Sequence, residues 1–248
     1  MNKITIITVT YNSAKTLADT INSVNTQTAR QHIEYIVIDG QSTDGTLSII
    51  EQNSASIDKW ISEPDKGIYD AMNKGLQMAS GQWVGFLHAD DLFYDDKVVE
   101  HILNAANNNE CNLLYGNLNY INGTPEQKVV RFWKSQPFSA KLLKRGWMPP
   151  HPTVYMKKDL ATIIGAFDTS YRIAADYDYM LRLFMHPQSQ SHHINETLIN
   201  MRLGGVSNRS IGNMIQKSKE DYRALRSNKV GGIYALLVKN LSKLQQFF

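Results

Sequence analysis

The sequence contains a single cysteine, Cys111, so no disulfide can form within the chain. A lone thiol suits a reducing compartment. No run of about 18 apolar residues occurs, which excludes a helix that spans a membrane. The opening stretch from Met1 to Thr8 is too short an apolar run for a secretory leader and lacks a small-residue cleavage site. These absences lead to the expectation of a cytoplasmic chain. Charge of one sign is also scarce in excess: 26 basic against 23 acidic side chains leave a net charge of +3. That is too mild to imply nucleic acid. Internal repeats and low-complexity blocks are lacking as well.

What is present fits a globular protein. The 248 residues are 42% hydrophobic and 20% charged, enough for one large domain or two small ones. The basic excess is uneven. From Gln216 to Phe248, seven basic residues face two acidic ones, Glu220 and Asp221. Such a tail suggests an anionic partner, or simply a solvated helix face.

Residues 4–9 are β-branched throughout and read as a buried strand. Residues 14–27 carry Ala14, Leu17, Ile21 and Val24 at helical spacing, with Ser13 as a plausible N-cap. A second strand over 33–38, a helix from Thr46 to Gln52 and a short strand from Lys59 to Ser62 follow. Next come a helix from Ile68 to Ala79, a strand from Gln82 to Leu87 and a helix from Tyr94 to Asn107. Ser80-Gly81 reads as a helix end with glycine in the left-handed conformation. Strands alternating with helices predict a doubly wound parallel sheet.

In such a sheet, ligands bind at the carboxyl ends of the strands. Those ends carry Thr10-Tyr11-Asn12, Asp39 through Thr46, Glu63 through Gly67, and His88-Ala89-Asp90-Asp91. Asp and Gly are good turn formers, which accounts for any one of these loops but poorly for all four together. Gly40 and Gly45 have the spacing of a phosphate-binding loop, but Thr46-Leu47 stand where Lys-Ser/Thr is required. No G-x-G-x-x-G follows the first strand either, which argues against a dinucleotide fold. Asp39 remains a candidate acceptor for a base or ribose. The adjacent Asp90 and Asp91 repel each other and need compensation. A divalent cation with oxygen ligands supplies it; capping of the next helix is the alternative.

Four stretches then carry a family resemblance: Val9-Thr10-Tyr11-Asn12, Asp39 through Thr46, Asp65 through Gly75, and Phe86 through Asp91. A fifth runs from Ala175 to Leu183. Together they resemble family 2 glycosyltransferases, in the subgroup that resembles enzymes of O-antigen, capsule and exopolysaccharide synthesis. The departures are Val9 for a frequent proline, Gly40-Gln41 for Asp-Gly, His88-Ala89 for Asn-Ser, and Ala175 for Glu. The resemblance implies an α/β GT-A fold, with a Rossmann-like, mostly parallel sheet and a C-terminal helical extension. It divides the chain into a glycosyltransferase domain over 1–210 and basic amphipathic helices over 211–248. Residues 1–122 would bind the nucleotide sugar and 123–210 the acceptor.

The implied reaction is an inverting transfer from a nucleotide-sugar donor to a hydroxyl of a lipid-linked saccharide. Thr10, Tyr11, Asn12, Asp39, Asp65, Asn73, Asp90 and Arg202 are the expected donor contacts. Asp91 is the expected direct ligand of Mn²⁺ or Mg²⁺, with Asp90 nearer the ribose or just outside the ion's direct ligands. Asp176 resembles the family's general base, Asp178 is the alternative, and Arg182 is a structural partner of these acids. His151 could touch acceptor or diphosphate, or be structural. Arg202 through Ser207 resembles a closing loop, or is a simple turn. Trp147 and Met148 line the acceptor cleft or pack in the core, and His192-His193 read as surface. Ile233, Leu237, Leu241, Leu244 and Phe248 share one helical face flanked by Lys239 and Lys243. That face would meet an anionic membrane surface, the chain's own body or a second subunit. The competing functions are a sugar-nucleotide nucleotidyltransferase and a non-catalytic nucleotide- or glycan-binding module.

Overall fold

The structure is a computed structural model that describes residues 3–123, 128–203 and 211–244, with side chains excluded at 211 and 240–244. The described residues build one nine-stranded sheet. The first half is wound as expected. Strands β1 (Ile4–Thr10), β2 (Ile33–Asp39), β3 (Lys59–Ser62) and β4 (Trp83–Phe86) run parallel in the order β3-β2-β1-β4. Helices α1 (Leu17–Asn25), α2 (Thr46–Gln52) and α3 (Ile68–Met78) connect them. β1 is buried on both faces. Ile7 and Val9 enter one hydrophobic cluster, Ile4 and Ile6 the other, as the two-residue period of a strand dictates.

The second half departs from the mostly parallel expectation. β5 (Asp91–Phe93), β6 (Leu113–Ile121), β7 (Val129–Trp133), β8 (Tyr155–Lys157) and β9 (Ser191–Arg202) extend the sheet as β4-β8-β6-β9-β5, with β7 beside β6. Only β6 and β9 pair in parallel there. β8 runs antiparallel to both β4 and β6, β7 to β6, and β5 to β9. The sheet is therefore mixed. Helices α4 (Val98–Asn108), α5 (Ala140–Lys144), α6 (Lys158–Ile164) and α7 (Ala175–Met185) flank it. The C-terminal α8 (Ile211–Ser227) packs on α7, and α9 (Ile233–Leu244) packs on α8.

Three local expectations change for tertiary reasons. α1 begins at Leu17, because the Ser13 N–H donates to Thr46 Oγ1 (2.8 Å) and the Ala14 N–H to Asp44 (3.1 Å), tying that loop to α2. Ser13 contributes its backbone carbonyl to the first turn rather than a side-chain cap. α4 begins at Val98, because Asp91–Phe93 are drawn into pairing with β9. Gly81 is not left-handed; a Cβ there would lie 2.8 Å from the Thr5 amide nitrogen, so close approach to β1 is what demands glycine.

At the amino-terminal edge of the sheet, buried Glu34 gathers β1, β3 and the start of β4. Its carboxylate accepts from Thr5 Oγ1, the Ser80 N–H and hydroxyl, and Lys59 Nζ (2.8 Å). Burial alone would raise its pKa, but these donors outweigh it and hold the group at about 2. The opposite edge stays open for chemistry.

Candidate active site

Parallel register sets the site. Thr10 stands beside Asp39, and Asp39 beside Ser62, so the loops after β1, β2 and β3 leave from one line. The order β3-β2-β1-β4 places the reversal of winding between β1 and β4, where open α/β sheets bind ligands.

On one side of that line a slot forms. Gly40 has no room for a side chain: a Cβ would sit 2.3 Å from Asp65 Oδ2 and 3.4 Å from the Tyr11 ring. Tyr11 is 63% exposed, an aromatic face open to solvent. Asp65 accepts the Gly67 N–H at 2.8 Å through Oδ1. Tyr11, Gly40 and Asp65 thus converge. Thr10 lies beneath them, with its hydroxyl buried and unpartnered among the described residues.

Asp39 and Asn12 both have hydrogen-bond partners within the loops. Asp39 is fully buried and accepts from the Ser42 N–H (3.0 Å), the Ser42 hydroxyl and the Ser62 hydroxyl (2.6 Å). Asn12 adopts φ +52° and accepts the Thr43 N–H at 2.8 Å. Both carry the architecture of the loops. Asn73 likewise clasps the Phe167 backbone, donating at 3.0 Å and accepting at 2.8 Å. It shapes the wall of the site.

On the other side, after β4, a tight turn bonds the Asp91 N–H to the His88 carbonyl at 3.0 Å. The His88 and His151 rings lie 5.8 Å apart, and His151 also meets Phe86 and Phe167. Burial lowers the pKa of both histidines, that of His151 to about 4, although Asp176 acts on each in the opposite sense. Both rings are therefore neutral at neutral pH. Asp90 acts on His88 as well. Two carboxylates, Asp90 and Asp176, thus share the neighbourhood of a neutral histidine pair. Asp90 has no side-chain hydrogen bond among the described residues.

Asp176 opens α7, half-buried, with Oδ1 accepting the Tyr177 N–H at 2.8 Å and 3.3 Å from the Tyr69 hydroxyl. Asp178 points into the fold. It is 5% exposed, and its two oxygens accept from Arg182 Nε (2.9 Å) and Asn228 Nδ2 (2.8 Å). Arg182 also donates to the carbonyls of Ile164 and Ala166. The alternative base is occupied by these partners.

Asp91 lies deeper than its neighbour Asp90. It lies in β5, 1% exposed, opposite Met201 of β9, with neither carboxylate oxygen partnered among the described residues. Burial raises its pKa well above the usual carboxylate range, Asp90 adds to this, and Arg202 opposes it. Arg202, 6% exposed, pairs with Asp19 at 2.6 Å. Asp91 and Arg202 therefore lie buried within the sheet. The rest of the expected closing loop, 204–207, lies outside the described residues.

Trp147 and Met148 pack against the core, Trp147 edge-on to Tyr115. The His193 ring also leans on Tyr115, 5.4 Å between centroids, so it is not a plain surface residue. Sequence reasoning missed Tyr69, Phe167 and His88 as site-lining groups. Tyr69 and His88 lie inside stretches it had already singled out; Phe167 carries no local signal.

A half-parallel α/β sheet with acids and aromatics gathered at its switch point is the kind of architecture that binds its ligand at the strand ends. The chain belongs to glycosyl transferase family 2, whose profile matches residues 5–164. It is a glycosyltransferase of GT-A fold, which sets aside the nucleotidyltransferase alternative. It is 33% identical over 183 residues to an uncharacterized glycosyltransferase of Mycobacterium tuberculosis, covering 72% of this chain and 68% of that one. It is 28% identical over 208 residues to a PGL/p-HBAD biosynthesis glycosyltransferase of Mycobacterium bovis, covering 82% and 78%. The fold is similar to that of Staphylococcus aureus TarS 1-349 in complex with UDP-GlcNAc, with TM-score 0.69, 17% identity and coverage of 92% and 66%. It is also similar to that of the mannosyltransferase PcManGT from Pyrobaculum calidifontis in complex with GDP-Man and Mn²⁺, with TM-score 0.63, 18% identity and coverage of 91% and 64%. The chain spans just under two thirds of the length of these solved structures.

Proposed function

We propose that the chain transfers a sugar, with inversion, from a nucleoside-diphosphate sugar to a hydroxyl of a lipid-linked saccharide. The observation that carries this reading is the pair of partly exposed acids, Asp90 and Asp176, acting on His88 and His151 at the same end of the sheet as the Tyr11–Gly40–Asp65 slot. The base stacks on Tyr11 and donates to Asp65. Residues 1–122 hold the donor and 123–210 form the acceptor half. Asp176 takes the proton from the attacking hydroxyl, which needs a carboxylate in reach and not saturated by partners. Neutral His88 and His151 let anionic phosphate and carboxylate share the cleft without trapping either in a fixed ion pair. The relative named for PGL/p-HBAD biosynthesis supports a glycolipid-type acceptor.

The implied cation fits the residues, with Asp90 in place of Asp91. Among the described residues no group of three or more His, Cys, Asp or Glu is placed to hold a metal alone. One free carboxylate completed by phosphate oxygens and water is the ligand set that Mg²⁺ and Mn²⁺ accept. Bound there, the ion would neutralise charge on the leaving diphosphate.

A thermal-shift series with UDP, GDP and dTDP, each with Mn²⁺ or with EDTA, tests the reading. One nucleotide should stabilise the chain in Mn²⁺ by ~2.7 kcal/mol at a hundredfold excess over Kd, and much less in EDTA. No shift with any of the three would overturn it.

We further propose that the chain sits on an anionic membrane surface through α9. No described helix is long and apolar enough to cross a membrane. In α9, Ile233, Tyr234 and Leu237 are exposed, whereas Ala235 and Lys239 are buried against the body. The expectation that Lys239 flanks the membrane face is thereby corrected: its ammonium lies 2.8 Å from Asp221 and over the Tyr177 ring. Leu241, Lys243, Leu244 and Phe248 lie outside the described side chains. Deleting the helix would strip a buried pair, so substitution is the cleaner test. Ile233→Gln with Leu237→Gln should keep the melting temperature and lose co-sedimentation with phosphatidylserine vesicles. Unchanged co-sedimentation would refute the membrane role.

A further inference from the structure

The segment before Asp176 is held from a distant part of the chain. Glu220 of α8 is 5% exposed, and its carboxylate accepts three successive backbone N–H groups. Arg172 donates at 3.0 Å to Oε1, and Ile173 and Ala174 at 2.8 and 2.9 Å to Oε2. Gln216, one turn earlier on α8, donates to Oε1 at 2.8 Å and orients the group. Ala174 stands at the N-cap of α7 and has no side-chain acceptor to offer. Burial alone would raise the Glu220 pKa, yet the donors around it hold the carboxyl below the usual range, so it remains charged.

The same segment reaches the site through a carbonyl. The Tyr69 hydroxyl donates to the Ile173 carbonyl at 2.6 Å and lies 3.3 Å from Asp176 Oδ1. A phenol has one proton to give. Burial and the neighbouring Asp176 raise the Tyr69 pKa, so that proton stays on the ring oxygen. While the Ile173 carbonyl is held in place, it takes that proton, and the Asp176 oxygen is left without it.

We propose that Glu220 is a positioning residue for Asp176. It fixes the 172–174 backbone so that Tyr69 donates to Ile173 and leaves the Asp176 carboxylate free to accept the acceptor's proton. The C-terminal helix α8 is then part of the reaction machinery, not an appendage. This inference rests on the reading of Asp176 as the base.

The test is Glu220→Gln, which keeps size but sets an amide N–H₂ against backbone N–H groups. Hydrogen exchange, which needs no donor, should quicken at the amides of 172–174 while the melting transition stays cooperative. Turnover is read as nucleoside diphosphate released from whichever of the common UDP- and GDP-hexoses the wild-type chain uses fastest. The variant should lose about 10- to 100-fold in kcat with donor KM unchanged, the scale set by small misplacements of a reacting group. Adding Tyr69→Phe should restore most of that loss, because no hydroxyl remains to donate to Asp176. A merely structural role for Glu220 predicts no such rescue. The proposal is overturned if Glu220→Gln keeps wild-type kcat and amide protection, or if the double variant is no faster. Should Asp176→Asn keep turnover, the base reading itself falls. Should Asp176→Asn cripple the enzyme while Glu220→Gln does not, the positioning role alone falls.

Discussion

Asp176→Asn is expected to lower kcat by ~10²–10⁴ while leaving donor affinity intact, the usual worth of a positioned general base. That range corresponds to roughly 3–5 kcal/mol of barrier. The expectation comes from the difference between two acids two residues apart on α7. Asp178 has both oxygens committed to Arg182 and Asn228 and is nearly inaccessible. Asp176 is half-buried among Tyr69, His88 and His151. Asp178→Ala should therefore act on the fold, costing about 3 kcal/mol for the broken, largely buried pair, with little change in kcat of the folded fraction. Donor affinity by calorimetry, kcat by diphosphate release and stability by urea unfolding separate the two. If Asp178→Ala abolishes kcat in fully folded protein and Asp176→Asn is mild, the roles are reversed.

Asp90→Asn should lower kcat by ~10²–10³, the scale for losing one preorganised partner of developing charge, and should remove the dependence of donor binding on Mn²⁺. Asp91→Asn should keep both the turnover and the response to Mn²⁺. Asp91 has two buried oxygens without partners among the described residues and burial raises its pKa, so on the Asp90 reading an amide of the same shape replaces it without loss. Its stability should not fall. Excess EDTA should mimic Asp90→Asn in the wild-type chain. Full activity in EDTA would remove the metal from the mechanism, and loss of Mn²⁺ response in Asp91→Asn alone would restore Asp91 as the ligand.

The first four strands and three helices were legible because their signals are local. A β-branched run marked β1, helical spacing marked α1, the Ser80-Gly81 stop marked the end of α3, and Asp and Gly marked the turns. α2 and β3 were placed to the residue, from Thr46 to Gln52 and from Lys59 to Ser62. The second half was not legible in the same way. β8 is three residues long and joins β4 and β6 antiparallel. Nothing within three residues announces which neighbours they will pair with.

The sequence by itself determined that the chain folds as an α/β protein with its polar groups at the carboxyl ends of the strands, and its motifs pointed to the glycosyltransferase family. Period-two and helical patterns act between neighbours in the chain, so they survive in the bare sequence. Tertiary structure alone decided which member of each acidic pair is buried. Asp91 is drawn inward because β5 pairs with β9, its partner Met201 lying far along the chain. Asp178 is turned away by Asn228 of the C-terminal segment. Glu220 is brought under Ile173 by the packing of α8 on α7. The direction of a carboxylate depends on which distant strand or helix supplies its partners, and adjacent residues in a sequence carry no record of that.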